Sequence, residues 1–246
     1  MKNPKLFAGI RAPSRAILLY GPPGNGKTLL AKALAHEIDR TFFSVSASSL
    51  MSKWVGEGEK LMKGLFTLAE ERGPSIVFFD EVDSLLSKRK ESENEASRRM
   101  KTEFLVQLDG VGSDTSGDIL ILAATNRPLD LDAAAMRRFT KRIYVGLPDF
   151  DARTAIVESL LSNEKWELDE EEFKEVISIL DGYSSSDLTY FWKDVAMAPL
   201  EDYSVKELEC LDPDEIRPIY YQDFINSIEK VKPSYKKEDY ENLMLS

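Results

Sequence analysis

The chain has 246 residues, of which 43% are hydrophobic, and a formal net charge of −11 from 32 basic and 43 acidic side chains. This composition suits one large domain, or a medium domain with a small one, and the acidic balance argues against general nucleic-acid binding. The single cysteine, Cys210, excludes an internal disulfide and fits a reducing compartment, and no apolar run reaches the roughly 18 residues of a membrane span.

The first apolar run, residues 15–20, predicts a buried strand, and a glycine-rich loop follows it directly. A helical pattern comes next, over residues 28–38. Strand, glycine-rich loop and helix in this order are the context of a phosphate-binding P-loop. The predicted nucleotide-binding residues of this segment are Gly21, Pro22, Pro23, Gly24, Asn25, Gly26, Lys27, Thr28 and Leu29.

The residue types of this loop match the chemistry of a nucleoside triphosphate. Its glycines allow a tight turn in which successive N–H groups point at phosphate oxygens, next to the positive end of a helix. Lys27 places a charge on the β and γ phosphates, and Thr28 offers a hydroxyl to Mg²⁺. The alternative is a glycine-rich turn that binds nothing. We predict ATP and Mg²⁺ as the ligands.

Four more apolar runs follow, and helical patterns separate them. Most of the runs are continuous rather than alternating, as expected for strands covered on both faces. Alternating strands and helices predict a doubly wound α/β fold with a five-stranded parallel sheet. The further runs span 41–46, 75–80, 118–124 and 141–146, and the further helical patterns span 58–72, 95–108 and about 132–137.

Acidic residues end the third run. Asp80 lies where a parallel strand meets its ligand-binding edge and can hold Mg²⁺ through water. Glu81, one residue later, can accept a proton from a water that attacks the γ-phosphate. The alternative is two acids that merely open a loop. Asp83 has two open interpretations, as a supporting residue of the site or as the cap of the next helix.

Polar residues also follow the fourth run and precede the fifth. Asn126 at a strand end can position the attacking water or sense the γ-phosphate. Arg137 and Arg138 are either surface charges or arginine fingers that complete the site of a neighbouring subunit.

The pattern changes near residue 147, after which no convincing strand appears. Two amphipathic helices are predicted behind capping boxes that begin at Asp169 and Ser184. We therefore divide the chain into an α/β nucleotide-binding domain, residues 1–148, and a small all-helical domain, residues 149–246.

The motifs together resemble the AAA family of ATPases over nearly the whole chain. The P-loop, Asp80-Glu81, residues 124–128 and residues 137–139 stand in the order and spacing of that family. Residues 181–188 resemble its second nucleotide sensor, with Ser185 where the family usually has glycine. Residues 56–61 and 96–105 are most similar to the microtubule-severing members.

This resemblance implies a ring of six subunits with ATP between neighbours. Lys27, Thr28, Asp80, Glu81 and Asn126 would act within the subunit, and the two arginines in trans. Ser185 and Ser186 would contact the nucleotide from the helical domain. The partner-binding domain and microtubule-binding linker of such proteins would lie outside these 246 residues.

The resemblance also implies a central pore, lined by a first loop with Lys53, Trp54 and Val55. From the residues alone, the preferred interpretation of Trp54 is a core tryptophan, and only the resemblance favours the pore. Basic residues at 88–90 and 98–99 flank the position of a second pore loop and suit an acidic polypeptide.

Three functional hypotheses follow. The first is a cytoplasmic, microtubule-associated severing motor that pulls acidic tubulin tails into its pore. The second is an AAA motor that disassembles membrane-remodelling filaments. The third is a nucleotide-gated scaffold without turnover, against which Glu81 and the two arginines argue.

Overall fold

Five parallel strands form the central sheet of the computed structural model, which describes residues 11, 13–53, 57–88, 95–111, 118–162 and 164–234. Their order across the sheet is β2-β3-β4-β1-β5, and this confirms the predicted doubly wound α/β class. Each strand lies within two residues of its predicted position. The strands are β1 (Ala16–Tyr20), β2 (Thr41–Ser46), β3 (Ser75–Asp80), β4 (Ile119–Thr125) and β5 (Lys141–Tyr144).

Helices connect these strands and cover both faces of the sheet. Two of them are short and follow the carboxyl ends of β2 and β3. Hydrophobic periodicity did not predict these two helices, because they are too short to repeat the pattern. The helices are α1 (Lys27–Glu37), α2 (Ala47–Lys53), α3 (Gly58–Glu71), α4 (Asp83–Leu86), α5 (Glu95–Gly110) and α6 (Ala133–Arg138).

The inner strand β3, which lies between β2 and β4, explains why the apolar runs are continuous. Val77 and Phe79 belong to the core on one face of the sheet, Ile76 and Phe78 to the core on the other, and all four are fully buried. The Phe79 ring meets Phe104 of α5 edge-on, with 4.7 Å between ring centroids. Each such side chain contributes about 1.5–3 kcal/mol on burial, so both helical layers are held firmly to the sheet.

The register of the strands brings their carboxyl ends to one edge. Tyr20 of β1 pairs with Thr125 of β4, and Ser46 of β2 pairs with Asp80 of β3. In a parallel α/β sheet this edge is where ligands bind. The glycine-rich loop, the acidic pair and the residues after β4 therefore all begin from the same edge.

The described residues divide into two compact units. The first contains Gly26–Val145, and the second contains the chain from Gly146 onward together with Pro22–Asn25. Helices dominate the second unit, and both predicted capping boxes, at Asp169 and Ser184, are present. Its helices are α7 (Phe150–Leu161), α8 (Glu170–Ile179), α9 (Ser185–Glu201), α10 (Val205–Leu208) and α11 (Tyr221–Lys230).

Aromatic side chains form the core of the second unit. The Trp192 ring contacts Phe191 and Phe224, with centroids 5.2 and 5.0 Å apart. This unit also contains two very short parallel strands, β6 (Trp166–Glu167) and β7 (Ile219–Tyr220), which the sequence patterns did not predict. A pair of two-residue strands has no periodicity to detect, so an all-helical domain was expected there. Among the described residues, no helix combines the length and apolarity that crossing a membrane requires.

Candidate active site

The backbone of the glycine-rich loop between β1 and α1 adopts conformations that favour glycine. Gly21 has φ 144°, and a Cβ atom there would lie 2.2 Å from the carbonyl oxygen of Val145. Gly26, directly before α1, has φ 76°. Side chains are strongly disfavoured in these conformations, so the loop can make its tight turn only with glycine. The loop therefore leads directly into the N-terminus of α1, where backbone N–H groups and the helix dipole favour a bound phosphate.

Lys27, the first residue of α1, is a buried cation. It is 7% exposed, and its Nζ donates a hydrogen bond of 2.9 Å to the carbonyl oxygen of Gly21. Burial lowers the pKa of Lys27 to about 8, although the nearby Asp80 carboxylate acts in the opposite direction. A buried ammonium group is stabilised by an added anion, so this side chain fits the phosphate groups of a nucleotide.

Thr28 and Asp80 bring hard oxygen atoms to the same place. The Thr28 hydroxyl donates to Asp80 Oδ2 over 2.7 Å, and the backbone N–H of Glu81 donates to Asp80 Oδ1 over 2.9 Å. The Asp80 carboxylate is thus fixed by the residue that follows it in the chain and by Thr28 of α1, which is 52 residues away. Hydroxyl and carboxylate oxygens are ligands that Mg²⁺ prefers, and Mg²⁺ is usually bound by few protein groups together with substrate phosphates.

Glu81 has an unusual backbone and an unexpected partner. Its φ of 51° lies in the left-handed region, which residues with a side chain seldom adopt and which often marks functional positions. The hydroxyl of Ser48, in α2, donates to Glu81 Oε2 over 2.8 Å. Sequence analysis missed Ser48 because no motif marks it. The bond orients the carboxylate of the predicted general base.

Asp83 supports the end of β4. It accepts a hydrogen bond of 2.6 Å from the hydroxyl of Thr125, and that hydroxyl oxygen accepts from the backbone N–H of Arg127 over 2.9 Å. Asp83 is the first residue of α4, and no side-chain bond caps that helix, so of the two interpretations the supporting one agrees with the contacts. These bonds hold the backbone on both sides of Asn126, which is exposed.

The two predicted arginine fingers differ in their surroundings. Arg137 is exposed, whereas Arg138 is partly buried. Two nitrogen atoms of Arg138, Nε and Nη2, donate to the two carboxylate oxygens of Asp109 in α5 over 2.8 and 2.7 Å. Sequence analysis did not single out Asp109.

The predicted sensor residues lie at the start of α9 in the second unit, which also includes loop residues 22–25. The backbone N–H of Ser185 donates to Asn25 Oδ1 over 3.2 Å. Ser186 donates from its N–H and from its hydroxyl to the carbonyl oxygen of Gly24 over 3.0 and 3.2 Å. Both serines therefore bond the loop itself.

The predicted pore residues are described only in part. Lys53 ends α2, but its side chain and residues 54–56, including Trp54 and Val55, lie outside the described residues. Residues 89–94 do as well. Leu29, the last predicted residue of the loop segment, is 71% exposed in the first turn of α1.

Comparison with known proteins identifies relatives of this chain. The family model described as "ATPase family associated with various cellular activities (AAA)" matches residues 17–147. Spastin of Ixodes scapularis is 52% identical over 94% of this chain, and spastin of Drosophila melanogaster is 53% identical over 94%. The chain spans 36% and 31% of those proteins, so it corresponds to about a third of their length.

Solved structures agree with this comparison. The crystal structure of the FIGL-1 AAA domain in complex with ADP is 44% identical, with a TM-score of 0.88 over 98% of this chain and 80% of that one. A second solved structure, described as "Structural Basis for Katanin Self-Assembly", is 36% identical to this chain. Its TM-score is 0.80, over 99% of this chain and 82% of that one.

Proposed function

The chain belongs to the AAA family of ATPases, and we propose that it uses ATP hydrolysis to sever microtubules as a ring of six subunits. Its identity of 52–53% with spastins over 94% of its length supports this choice within the family. The residues most similar to the severing group, 56–61 and 96–105, flank the positions of the two pore loops. We place the protein in the cytoplasm, associated with microtubules.

The observation that carries the proposal is the meeting of three groups at one edge of the sheet. These are the buried ammonium of Lys27, the bonded pair Thr28–Asp80, and Glu81. Lys27 and the loop N–H groups would hold the phosphates, and Thr28 and Asp80 would hold Mg²⁺. When bound, Mg²⁺ supplies positive charge that offsets the charge on the transferring phosphoryl group.

Hydrolysis needs a base, an aligned water and a cation near the γ-phosphate. Glu81 would accept the proton of the attacking water, and Asn126 would help to align that water. Arg137 and Arg138 would act on the nucleotide of the neighbouring subunit, because a guanidinium stabilises charge on the phosphoryl group. Ser185 and Ser186 would contact the nucleotide from a small domain, residues 149–246. In the chain this domain follows the nucleotide-binding domain, residues 1–148.

The proposed substrate contact lies in the pore. Trp54 would press a flat apolar ring against an extended chain whatever its sequence, with Val55 beside it, and Lys53 would attract acidic side chains. Tubulin tails are acidic polypeptides that fit this chemistry, and the attraction should weaken with salt.

The experiment is ATP turnover measured against protein concentration, with no addition, with microtubules, and with microtubules whose tails have been removed by protease. We expect the specific activity to rise with protein concentration, because a shared site forms only on assembly, and intact microtubules to stimulate it further. Severing is followed in parallel by fluorescence microscopy.

Each hypothesis predicts a different result. Equal stimulation by intact and tail-free microtubules would contradict tail gripping. ATP turnover that does not change when microtubules are added would favour the motor that disassembles membrane-remodelling filaments. Absence of turnover at all concentrations, with nucleotide still bound, would favour the scaffold.

A further inference from the structure

Lys101 is a buried cation that the proposed catalytic steps do not use. It lies in α5 and is 5% exposed. Burying an ammonium group is unfavourable unless the group is paired and hydrogen-bonded. Its Nζ donates to Asp132 Oδ2 over 3.0 Å and to the carbonyl oxygen of Ser87 over 2.6 Å. Lys101 thus joins α5 to two other segments of the first unit.

Asp132 is the residue from which α6 begins. It is the N-cap of that helix, and its Oδ1 accepts from the backbone N–H of Ala134 over 2.8 Å. One carboxylate oxygen therefore caps α6, while Lys101 binds the other. Because α6 has only six residues, Ala133–Arg138, the position of its N-cap sets the position of the two arginines at its end.

Ser87 belongs to the segment that follows the acidic pair Asp80-Glu81. It is the C-cap of α4 and forms an antiparallel bridge with Leu131. Two backbone hydrogen bonds, each of 2.9 Å, flank this bridge and join residues 86–88 to residues 130–132. The ammonium group of Lys101 binds both segments from the side, so the start of α6 lies where three segments meet.

The buried pair fixes geometry more than it stabilises the fold. Apolar side chains of similar volume often stabilise a core as well as a buried ion pair does, or better. A hydrogen-bonded pair adds a narrow range of distance and angle. The helix that carries Lys101 is itself held to the sheet, because Phe104 is fully buried and meets the ring of Phe79 edge-on. The start of α6 is therefore held at a set place relative to the sheet.

We propose that Lys101 is a positioning residue for both arginines of α6. Through Asp132 it holds the start of the helix where Arg137 and Arg138 can reach the nucleotide of the neighbouring subunit. The inference rests on the proposed function, because it concerns how the shared site is completed. Loss of Lys101 should therefore impair the site of the neighbouring subunit rather than the site of its own subunit.

Two variants remove the ion pair in different ways. Lys101→Met removes the ammonium group and leaves the Asp132 charge in place. K101M/D132N removes both charges and keeps asparagine, a good N-cap, at the start of α6. This double variant carries the test if the single one does not fold. For each we expect kcat to fall roughly ten- to a hundredfold, since a displacement of about 1 Å can cost about 10²-fold.

The Michaelis constant and a control variant separate positioning from a general effect. The KM for ATP should stay unchanged, because the arginines act on the transferring phosphoryl group. The matched control is Lys63→Met. Lys63 of α3 also forms an ion pair with α5, over 3.5 Å to Glu103, but its side chain is 54% exposed. Exposed pairs contribute little, so kcat should not change. Circular dichroism and light scattering measure folding and assembly.

Mixed rings show which site is impaired. Subunits of either Lys101 variant have an intact Glu81, and Glu81→Gln subunits have an intact α6. An interface between the two regains a complete site, so we expect ATP turnover to recover in this mixture. When a Lys101 variant is mixed with Arg137→Ala, every subunit has an impaired α6. This second mixture should show no more than the summed activity of its components.

Three results would overturn the proposal. One is an unchanged kcat for K101M/D132N. The second is that this double variant does not fold, because the pair would then be needed for the fold itself. The third is recovery with Arg137→Ala, or none with Glu81→Gln although the subunits co-assemble. Lys101 would then act on the site of its own subunit, through Ser87 and α4.

A reference mixture of Glu81→Gln with Arg137→Ala separates this failure from failure of the proposed function. If the reference mixture co-assembles and stays inactive, the shared site of the proposed function is refuted, and this inference with it. If the reference mixture recovers activity and the Lys101 mixtures depart from the expected pattern, only the role of Lys101 is refuted.

Discussion

At the scale of single residues, Lys27 shows how burial prepares a site for its ligand. The ammonium group is 7% exposed, and its pKa is lowered to about 8 because burial disfavours the charged form. The ordinary pKa of lysine is about 10.4. Keeping Lys27 charged in the free protein is therefore unfavourable, and a bound phosphate would stabilise the charged form. The resulting dependence of ligand affinity on the protonation of Lys27 can be measured.

We predict that ATP affinity falls as the pH rises through about 8. Below this pH, Lys27 is charged with or without nucleotide. Above it, the free protein loses the proton while bound phosphate keeps it, so that binding takes up a proton and affinity falls by up to about tenfold per pH unit. The second ionisation of a phosphate group, near about pH 6, lies below this window.

Calorimetry in buffers of different ionisation enthalpy measures the proton uptake directly. The matched variant is Lys27→Arg, whose guanidinium stays charged throughout, so its weaker binding should not depend on pH in this window. A wild-type affinity that stays constant between about pH 7.5 and 9.5 would mean that Lys27 has an ordinary pKa in the free protein.

At the scale of elements, α9 is an example of a helix whose start is fixed by buried side chains. Ser184 is 3% exposed, its hydroxyl accepts from the N–H of Asp187 over 3.1 Å, and Asp187 accepts in return from the N–H of Ser184. Burial would raise the pKa of Asp187, but hydrogen bonds from Ser234 and Ser184 outweigh it and lower the pKa below its ordinary value. This carboxylate stabilises the fold above its unfolded pKa, and that stabilisation is lost as the pH falls.

Removing this cap should destabilise the second unit. We expect Ser184→Ala to cost about 0.5–2 kcal/mol of the free energy of unfolding, toward the upper end because Asp187 then loses a partner while buried. Urea denaturation followed by circular dichroism measures it. Ser204→Ala is the control, because Ser204 caps the four-residue helix α10 through the same box in an exposed position. Equal losses at both sites would contradict the role that we assign to burial.

Several features of elements could not be read from local sequence. The strands β6 and β7 are two residues long, and helices α4 and α10 have four residues, so none is long enough to repeat its pattern. The capping boxes at Asp169 and Ser184 were predicted correctly because their spacing is local. The box at Ser204 has the same spacing but stands before no apolar run.

At the scale of the whole molecule, the shared site makes a prediction about mixtures. Glu81→Gln should bind ATP without hydrolysing it, because the amide keeps the shape of the side chain and loses its basicity. Arg137→Ala should be inactive because it lacks the finger. In mixed rings, some neighbours pair an intact Glu81 with an intact Arg137, so we expect activity to return on mixing.

Steady-state ATP turnover at a fixed total subunit concentration measures this recovery, with co-assembly checked by differently labelled subunits. The control mixture combines Glu81→Gln with Lys27→Ala. Both changes remove a group that acts within the subunit that binds the nucleotide. Every subunit of this mixture therefore lacks one such group, and we expect no activity to return. If labelled rings form and the first mixture remains inactive, Arg137 does not act across the interface.

The sequence by itself determined the class of this protein and most of the residues of its candidate site. The inner strands β3 and β4 are buried on both faces of the parallel sheet and therefore appear as continuous apolar runs. The glycine-rich loop and the acidic pair Asp80-Glu81 are local motifs, because their chemistry needs neighbouring residues in a set order. Boundaries within two residues of the observed strands followed from the same patterns.

Only the tertiary structure decided which side chains contact those predicted for the candidate site. Ser48 meets Glu81 because β2 and β3 are neighbours in the sheet, and Asp109 meets Arg138 because α5 packs on α6. These partners are 33 and 29 residues apart in the chain. Contacts of this kind depend on strand order and helix packing, which are set by long-range burial and leave no periodic signal in the sequence.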